Sequence, residues 1–241
     1  MKKKQLWFRR YYAMLEQTKN PYFQSVNRLL GLLTLIAVLA VVLETVSVFE
    51  PYQVWINLIE WTVVIIFSFE YVVRFLAAKH KLSYVFSFYG LVDLVAIIPT
   101  YLGLGNFSFL KSARSIRTIR LLRIARLMKL SRFNDEKKGK RNVLGINVEI
   151  YLLALFMLVT MLGSMFYLFE SENVEADNIP MGMLWVTKII VGGLPTAQPE
   201  TFGGIMTLIL TKFSAMLIFG FIIGIIGTLI RYKLIGSESD L

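Results

Sequence analysis

A cation recurs at every third position along one stretch in the middle of the sequence. The seven residues are Arg114, Arg117, Arg120, Arg123, Arg126, Lys129 and Arg132. The positions between them are mostly apolar, although a cation at membrane depth costs about 3 kcal/mol unless the protein supplies partners. Moving one elementary charge across 100 mV is worth about 2.3 kcal/mol. The row therefore predicts a membrane helix whose cations respond to the transmembrane voltage.

Carboxylates that could partner these cations lie inside other apolar runs of the chain. They are Glu44, Glu60, Glu70 and Asp93. Glu60 and Glu70 are ten residues apart, which is about 15 Å along an α-helix. Two acidic positions at different depths allow a cation to leave one partner and reach the next. Phe67 lies one turn before Glu70 and is placed to close the gap between them, so we predict that the cations pass these residues.

A basic surface helix or a nucleic-acid-binding patch also places cations at helical spacing. The carboxylates within apolar runs favour the membrane interpretation, as does the composition of 56% hydrophobic residues with a mean hydropathy of +0.62. The net charge of +10 is concentrated in blocks beside apolar spans, which indicates anionic lipid headgroups rather than nucleic acid as the partner. The absence of cysteine and the single His80 exclude thiolate and multi-histidine metal sites, and we predict no cofactor.

The apolar runs predict an all-α membrane protein with six transmembrane helices, because about 20 apolar residues are needed to cross the bilayer. The predicted spans are 29–49, 54–77, 84–104, 112–131, 146–169 and 203–230. Basic and acidic connections alternate along the chain, which predicts that both termini are cytoplasmic. Residues 1–28 are predicted to be either an interfacial amphipathic segment or a solvated tail. We predict no catalytic domain, and the chain after residue 234 is a short cytoplasmic tail, 235–241.

Four stretches of this sequence resemble the voltage-gated potassium channel family. They are LET (43–45), IIFSFEYVVRF (65–75), DLVAIIP (93–99) and RTIRLLRIARLMKLSR (117–132). The resemblance implies a four-helix voltage-sensor domain at 29–133, a coupling linker at 134–145 and a two-helix pore domain with a re-entrant pore helix at 146–234.

The same resemblance implies roles for the charged residues of the first four spans. Arg117 to Arg126 correspond to the family's main gating charges, and Glu60 to its outer countercharge. Phe67, Glu70 and Asp93 are similar to the family's charge-transfer centre.

The order of residues after the fifth span looks like the family's pore helix, selectivity filter and inner helix. Pro180 suits the first turn of a short helix, and Trp185 falls where the family has a similar residue. The filter position holds Val191, Gly192, Gly193, Leu194, Pro195 and Thr196. A potassium filter is built from TVGYG loops whose carbonyls replace the hydration shell of the ion. Pro195 fixes φ near −65°, so strict potassium selectivity is not expected, and the two glycines either bring carbonyls to the ion path or form a turn.

Charges near the predicted pore favour opposite kinds of ion. Four acids precede the pore helix and would concentrate cations at the outer mouth, namely Glu170, Glu172, Glu175 and Asp177. Lys188 and Lys212 lie in the pore helix and the sixth span. Each lysine either pairs with an acid or attracts anions toward the ion path.

The predicted function is a voltage-gated ion channel of the cell membrane, in which ladder movement opens a central pore for monovalent cations, either potassium or a weakly selective mixture. One chain supplies one pore segment, and the family implies a homotetramer. An anion-permeable or non-conducting voltage-sensing homologue is the alternative. A voltage-sensor protein without a central pore leaves residues 146–233 unexplained, and a transporter is disfavoured because no inverted repeat is visible.

Overall fold

The computed structural model describes residues 23–78, 80–102, 113–127, 143–194 and 197–235. Within these ranges every regular element is a helix. The α-helices are α1 (Phe23–Glu44), α2 (Gln53–Ala77), α3 (Lys81–Val85), α4 (Phe88–Leu102), α5 (Ala113–Arg120), α6 (Val143–Phe169), α7 (Ile179–Ile190) and α8 (Phe202–Ile235). Three 3₁₀ helices join them, Ser47–Tyr52, Leu121–Leu127 and Val174–Ala176. The predicted amino-terminal segment is described only from residue 23, and the tail 235–241 only at its first residue.

Among the described residues, four stretches of helix are long and apolar enough to cross a membrane. They are Ser25–Glu44, Ser47–Ala77, Tyr151–Phe169 and Phe202–Gly227, which overlap the first, second, fifth and sixth predicted spans. The third predicted span falls on α3 and α4. The fourth falls on α5 and the 3₁₀ helix that continues it.

The first span ends earlier than the sequence predicted. α1 stops at Glu44, whereas the apolar run continues to residue 49. The Thr45 hydroxyl donates a hydrogen bond to the Val42 carbonyl at 2.7 Å, which satisfies a carbonyl of the last turn locally. The chain then enters the 3₁₀ helix Ser47–Tyr52, which contains Pro51.

The cations lie on a segment that changes its helix type. Ala113–Arg120 is α-helical and Leu121–Leu127 is 3₁₀-helical, and we call 113–127 the ladder segment. A 3₁₀ helix has three residues per turn, so positions three apart share one line along its surface. Within Leu121–Leu127 this geometry places positions 123 and 126 on one line and a row of buried apolar residues on another. That row, Leu121, Ile124 and Leu127, packs with α1 residues Val38, Val41 and Val42.

α6, α7 and α8 pack together as a group. The Trp185 ring of α7 stacks on Phe166 of α6 with centroids 3.8 Å apart and an interplanar angle of 9°. Gly163 of α6 and Gly182 of α7 bring the two backbones into direct contact. A Cβ on Gly182 would lie 2.3 Å from the Gly163 carbonyl oxygen, and one on Gly163 would lie 2.6 Å from the Met183 nitrogen.

This contact predicts that Gly182→Ala destabilises the fold. Because the added methyl group meets backbone atoms rather than a flexible side chain, the two helices must separate, at a cost of about 1–3 kcal/mol. Thermal unfolding of the purified protein measures the effect. Gly220→Ala is the control, since a Cβ there meets nothing within 4 Å in the chain. Equal melting temperatures for Gly182→Ala and wild type would contradict this packing.

The group formed by α6, α7 and α8 contacts α1 and the ladder segment at one end of α1. The Thr45 hydroxyl oxygen accepts a hydrogen bond from the Ile179 backbone nitrogen at 3.1 Å, at the start of α7. Tyr167 of α6 and Ile179 belong to the same buried cluster as the apolar row of the ladder segment. The ladder segment is therefore in direct packing contact with the group formed by α6, α7 and α8.

Candidate functional site

Described ladder cations and two carboxylates alternate in one continuous chain of ion pairs. We call Glu44 and Glu60 the first acidic pair. Arg117 Nε lies 3.3 Å from Glu44 Oε1, and Arg120 Nη1 lies 3.2 Å from Glu44 Oε2. The same Arg120 nitrogen lies 2.8 Å from Glu60 Oε2, and Arg123 Nη2 lies 3.1 Å from Glu60 Oε1. Each carboxylate is thus shared by two successive cations of the ladder.

The ladder passes from the edge of the protein into its interior. The exposed fractions of the Arg117, Arg120 and Arg123 side chains are 26%, 16% and 1%. Arg123 also donates to the Thr100 hydroxyl at 3.2 Å and to the Arg120 carbonyl at 2.8 Å. A buried charge without partners is strongly destabilising. The ion pair with Glu60 and these two hydrogen bonds allow a guanidinium to remain charged here.

A second acidic pair, Glu70 and Asp93, lies further along α2 and on α4. Arg74 of α2 forms ion pairs with both carboxylates, with its Nη1 3.2 Å from Asp93 Oδ2. All three side chains are no more than 6% exposed. Sequence analysis did not assign Arg74 to this site, although its position one turn after Glu70 is the spacing of a helical ion pair.

Tyr84 of the short helix α3 completes the second acidic pair. Its hydroxyl lies 3.4 Å from Asp93 Oδ2 and donates to it. The phenol therefore serves as a hydrogen-bond donor to this carboxylate. This residue carried no recognisable signal in the sequence.

An apolar layer separates the two acidic pairs. The buried residues of α2 recur on one face, in the order Glu60, Val63, Val64, Phe67, Glu70 and Arg74, as the helical period requires. Phe67 is 1% exposed and packs in a buried cluster with Ala37 of α1 and Ile97 of α4. The structure thus places Glu60, Phe67 and Glu70 on one face of α2, with the aromatic ring in the layer between the two carboxylates.

Part of the predicted ladder lies outside the described side chains. Arg114 and Arg126 fall within the ladder segment, but only their helical backbone is described. Lys129 and Arg132 lie outside the described residues. Tyr167 was not predicted as a ladder contact, and its hydroxyl lies 3.4 Å from Arg117 Nη1. No sequence pattern points to that contact, because it joins residues 50 positions apart.

The sequence model of the family described as ion transport protein matches residues 23–233. The chain belongs to this family. Its members are channels rather than enzymes, so this ion transport protein is a multi-pass membrane protein of the voltage-gated ion channel superfamily. The match covers the ladder, both acidic pairs and the group formed by α6, α7 and α8.

α7 of this ion transport protein has a defined start and end. Its first turn contains Pro180 and is capped by Asn178, whose side-chain oxygen accepts from the Met181 nitrogen at 3.0 Å. At the other end Gly192 N donates to the Ile189 carbonyl at 3.0 Å, and Gly193 N donates to the Lys188 carbonyl at 2.8 Å. Gly192 has φ +91°, which favours glycine. This is a Schellman cap, so the two predicted filter glycines form a turn that ends the helix.

The segment after the predicted filter is fixed by a buried carboxylate. Pro195 and Thr196 lie outside the described residues, whereas the chain from Ala197 onward is described. Glu170, at 3% exposed, accepts from the Glu200 and Thr201 nitrogens at 3.1 and 2.8 Å and from the Thr201 hydroxyl at 2.7 Å. A Cβ on Gly204 would collide with the Glu170 carboxylate and displace it from these hydrogen bonds.

The two predicted pore lysines have different surroundings. Lys188 Nζ lies 2.9 Å from Glu175 Oε1 and is paired within the chain. Lys212 is exposed on α8, and among the described residues it has no ion-pair or hydrogen-bond partner. Glu172 and Asp177 are exposed beside α7. The single chain therefore neutralises one lysine and leaves the other on an open helix face.

Proposed function

We propose that this ion transport protein is a voltage-gated channel whose arginine ladder senses the membrane potential and opens a central pore. The observation that carries the proposal is the alternating chain of ladder cations and carboxylates that ends at the buried Arg123. Because each carboxylate of the first acidic pair is shared by two cations, a shift of the ladder by three residues replaces one cation with the next. Such a step is about 6 Å in a 3₁₀ helix.

The path of the charges runs along one face of α2. Ladder cations exchange between the first acidic pair and the second, and the buried ring of Phe67 separates the aqueous spaces on either side. Arg114, Arg117, Arg120, Arg123, Arg126, Lys129 and Arg132 are the proposed gating charges. Tens of kcal/mol become available when several charges move in each of four subunits.

Exposure of α8 supports assembly from several copies. Only 6% of its most apolar window is buried in the chain, against 33–44% for the other three candidate spans. One chain also supplies only one pore segment, α7 with the residues that follow it. Four copies around a closed axis satisfy both observations, and we propose a homotetramer in the cell membrane with both termini cytoplasmic.

The proposed permeant ions are monovalent cations, with weak discrimination among them. A potassium filter needs a row of backbone carbonyls along the ion path, whereas the chain uses its two filter-position glycines in a helix cap. Exposed Glu172 and Asp177 favour cations at the mouth of the pore. Lys212 favours the second candidate, an anion-permeable or non-conducting channel, because four copies of an unpaired lysine would repel cations.

Planar-bilayer recording of the purified full-length protein tests the proposal. Under a KCl gradient we expect voltage-dependent current that reverses at the potassium potential. With NaCl on one side of the bilayer and an equal concentration of KCl on the other, we expect reversal near zero. Reversal at the chloride potential would replace the cation proposal with the anion one. Charge movement without ionic current would indicate a non-conducting sensor. Failure to detect either would contradict the proposed function.

A further inference from the structure

Lys188 connects both ends of the loop that follows α7. Its carbonyl accepts a hydrogen bond from the Gly193 nitrogen at 2.8 Å, where the loop begins. Its side-chain nitrogen lies 2.9 Å from Glu175 Oε1. One residue of α7 therefore fixes the start of the loop through its backbone and contacts Glu175 through its charge.

Glu175 carries this connection to the other end of the loop. Its second carboxylate oxygen, Oε2, accepts from the Ala197 nitrogen at 3.2 Å. The Ala197 carbonyl accepts from Trp185 Nε1 at 3.0 Å, so this peptide is held from both sides. The Asn173 side-chain oxygen accepts from the Glu175 nitrogen at 3.0 Å, which orders the backbone that presents the carboxylate.

In the proposed pore, the charge of Lys188 also acts on the ions near this loop. The Lys188 and Glu175 side chains are 37% and 21% exposed in the single chain, so neither charge is buried within it. In a tetramer, four lysines would surround the axis beside the loop. Uncompensated, they would repel cations from the ion path and attract anions.

We propose that Glu175 is a positioning residue of the pore, which neutralises Lys188 and holds the Ala197 peptide, and thereby sets the preference for cations over anions. The proposal rests on the proposed function of the chain as a channel. It assigns Glu175 a role different from that of the exposed acids nearby, which act only through their surface charge.

The test compares two neighbouring carboxylates that differ in their contacts. Glu175→Gln keeps the shape of the side chain and removes its charge, so Lys188 loses this ion pair. We expect the potassium-to-chloride permeability ratio to fall by about fourfold or more, the Coulomb effect of one charge at about 10 Å in a partly aqueous setting. The matched control is Glu172→Gln, which removes an equal charge from an exposed residue and is expected to change the ratio by less than about twofold, because exposed charges are screened.

A second substitution separates loss of neutralisation from loss of structure. Lys188→Met in the Glu175→Gln background removes the cation, and we expect the permeability ratio to return toward the wild-type value. The charge-reversed variant Glu175→Lys/Lys188→Glu is expected to retain more of the ratio than Glu175→Lys alone. Equal effects of Glu175→Gln and Glu172→Gln, or a double variant no better than Glu175→Gln, would overturn the proposal.

Thermal unfolding of wild type, Glu175→Gln, Lys188→Met and the double variant keeps the two proposals distinguishable. If the wild type carries no current, the channel proposal fails, but the melting temperatures still test the contact between Lys188 and Glu175. We expect the effects of Glu175→Gln and Lys188→Met to be clearly non-additive, as for two residues in contact. Additive effects would contradict the contact between Lys188 and Glu175.

Discussion

Glu60→Gln is expected to move the voltage of half-maximal charge movement by about 30 mV toward positive potentials. The structure places Arg120 and Arg123 on Glu60, with Arg117 beside Glu44 at the more exposed end of the ladder. In the proposed orientation, with the amino terminus in the cytoplasm, this end faces outward, and we expect the described arrangement to be the one reached on depolarisation. Removing Glu60 destabilises it relative to positions further inward.

The magnitude follows from the charge that moves. A loss of about 2 kcal/mol per subunit, below the usual 3–5 kcal/mol for breaking a buried pair, allows for compensation by Glu44 and Thr100. Spread over three moving charges at about 2.3 kcal/mol per charge per 100 mV, it gives about 30 mV. Gating-current recording measures the shift.

Glu50→Gln is the matched control for this prediction. Glu50 is exposed on the 3₁₀ helix Ser47–Tyr52 and forms no ion pair among the described residues. Because an exposed charge is screened by salt, we expect a shift of only a few millivolts, about the surface-potential effect of one charge. Equal shifts for the two variants would show that Glu60 acts through the general field rather than through contact with the ladder.

Lys212→Met is expected to raise the potassium-to-chloride permeability ratio on the order of tenfold, the combined Coulomb effect of four cations removed around one axis. Lys212 lies ten residues after the start of α8 at Phe202, or about 15 Å along the helix. A cation at this depth needs an acid or water. Among the described residues Lys212 contacts no acid, and we therefore expect it to face the water of the proposed pore.

Lys212→Arg is the control for this experiment. Lys188 is paired with Glu175, so Lys188→Met leaves that carboxylate without this ion pair and is expected to raise the ratio by about fourfold, less than removal of Lys212. Lys212→Arg retains the charge and is expected to keep the wild-type ratio. An unchanged ratio in Lys212→Met would contradict a position facing the pore and would place the lysine against a neighbouring subunit or lipid.

The face of α2 that carries the proposed charge path follows from the sequence. Glu60, Phe67 and Glu70 lie at helical spacing within one apolar run, so their shared face follows from the period of the helix. The spacing of the ladder predicted a stripe of cations but not the helix type. Positions three apart form a slowly turning spiral on an α-helix and a straight line on a 3₁₀ helix, and both are compatible with the same letters.

Other features depend on packing that the sequence does not encode locally. Glu44 meets Arg117 across 73 positions, a contact that depends on how α1 and the ladder segment pack. The predicted end of the first span lies five residues beyond the end of α1, because the apolar residues after Thr45 continue the hydropathy signal past the turn. The choice for Lys188 between an acidic partner and an open ion path also depended on where Glu175 lies in space.

The most direct test of the voltage-sensing claim is the charge moved per channel in wild type, Arg123→Gln and Arg28→Gln. Arg28 is an exposed cation near the start of α1 and serves as the control for loss of a positive charge outside the ladder. Wild type is expected to move about three elementary charges per subunit. Arg123→Gln should reduce this by about one charge and flatten the voltage dependence in proportion, with Arg28→Gln unchanged. An equal total charge and an equal slope in Arg123→Gln and wild type would contradict the proposal that the ladder senses voltage.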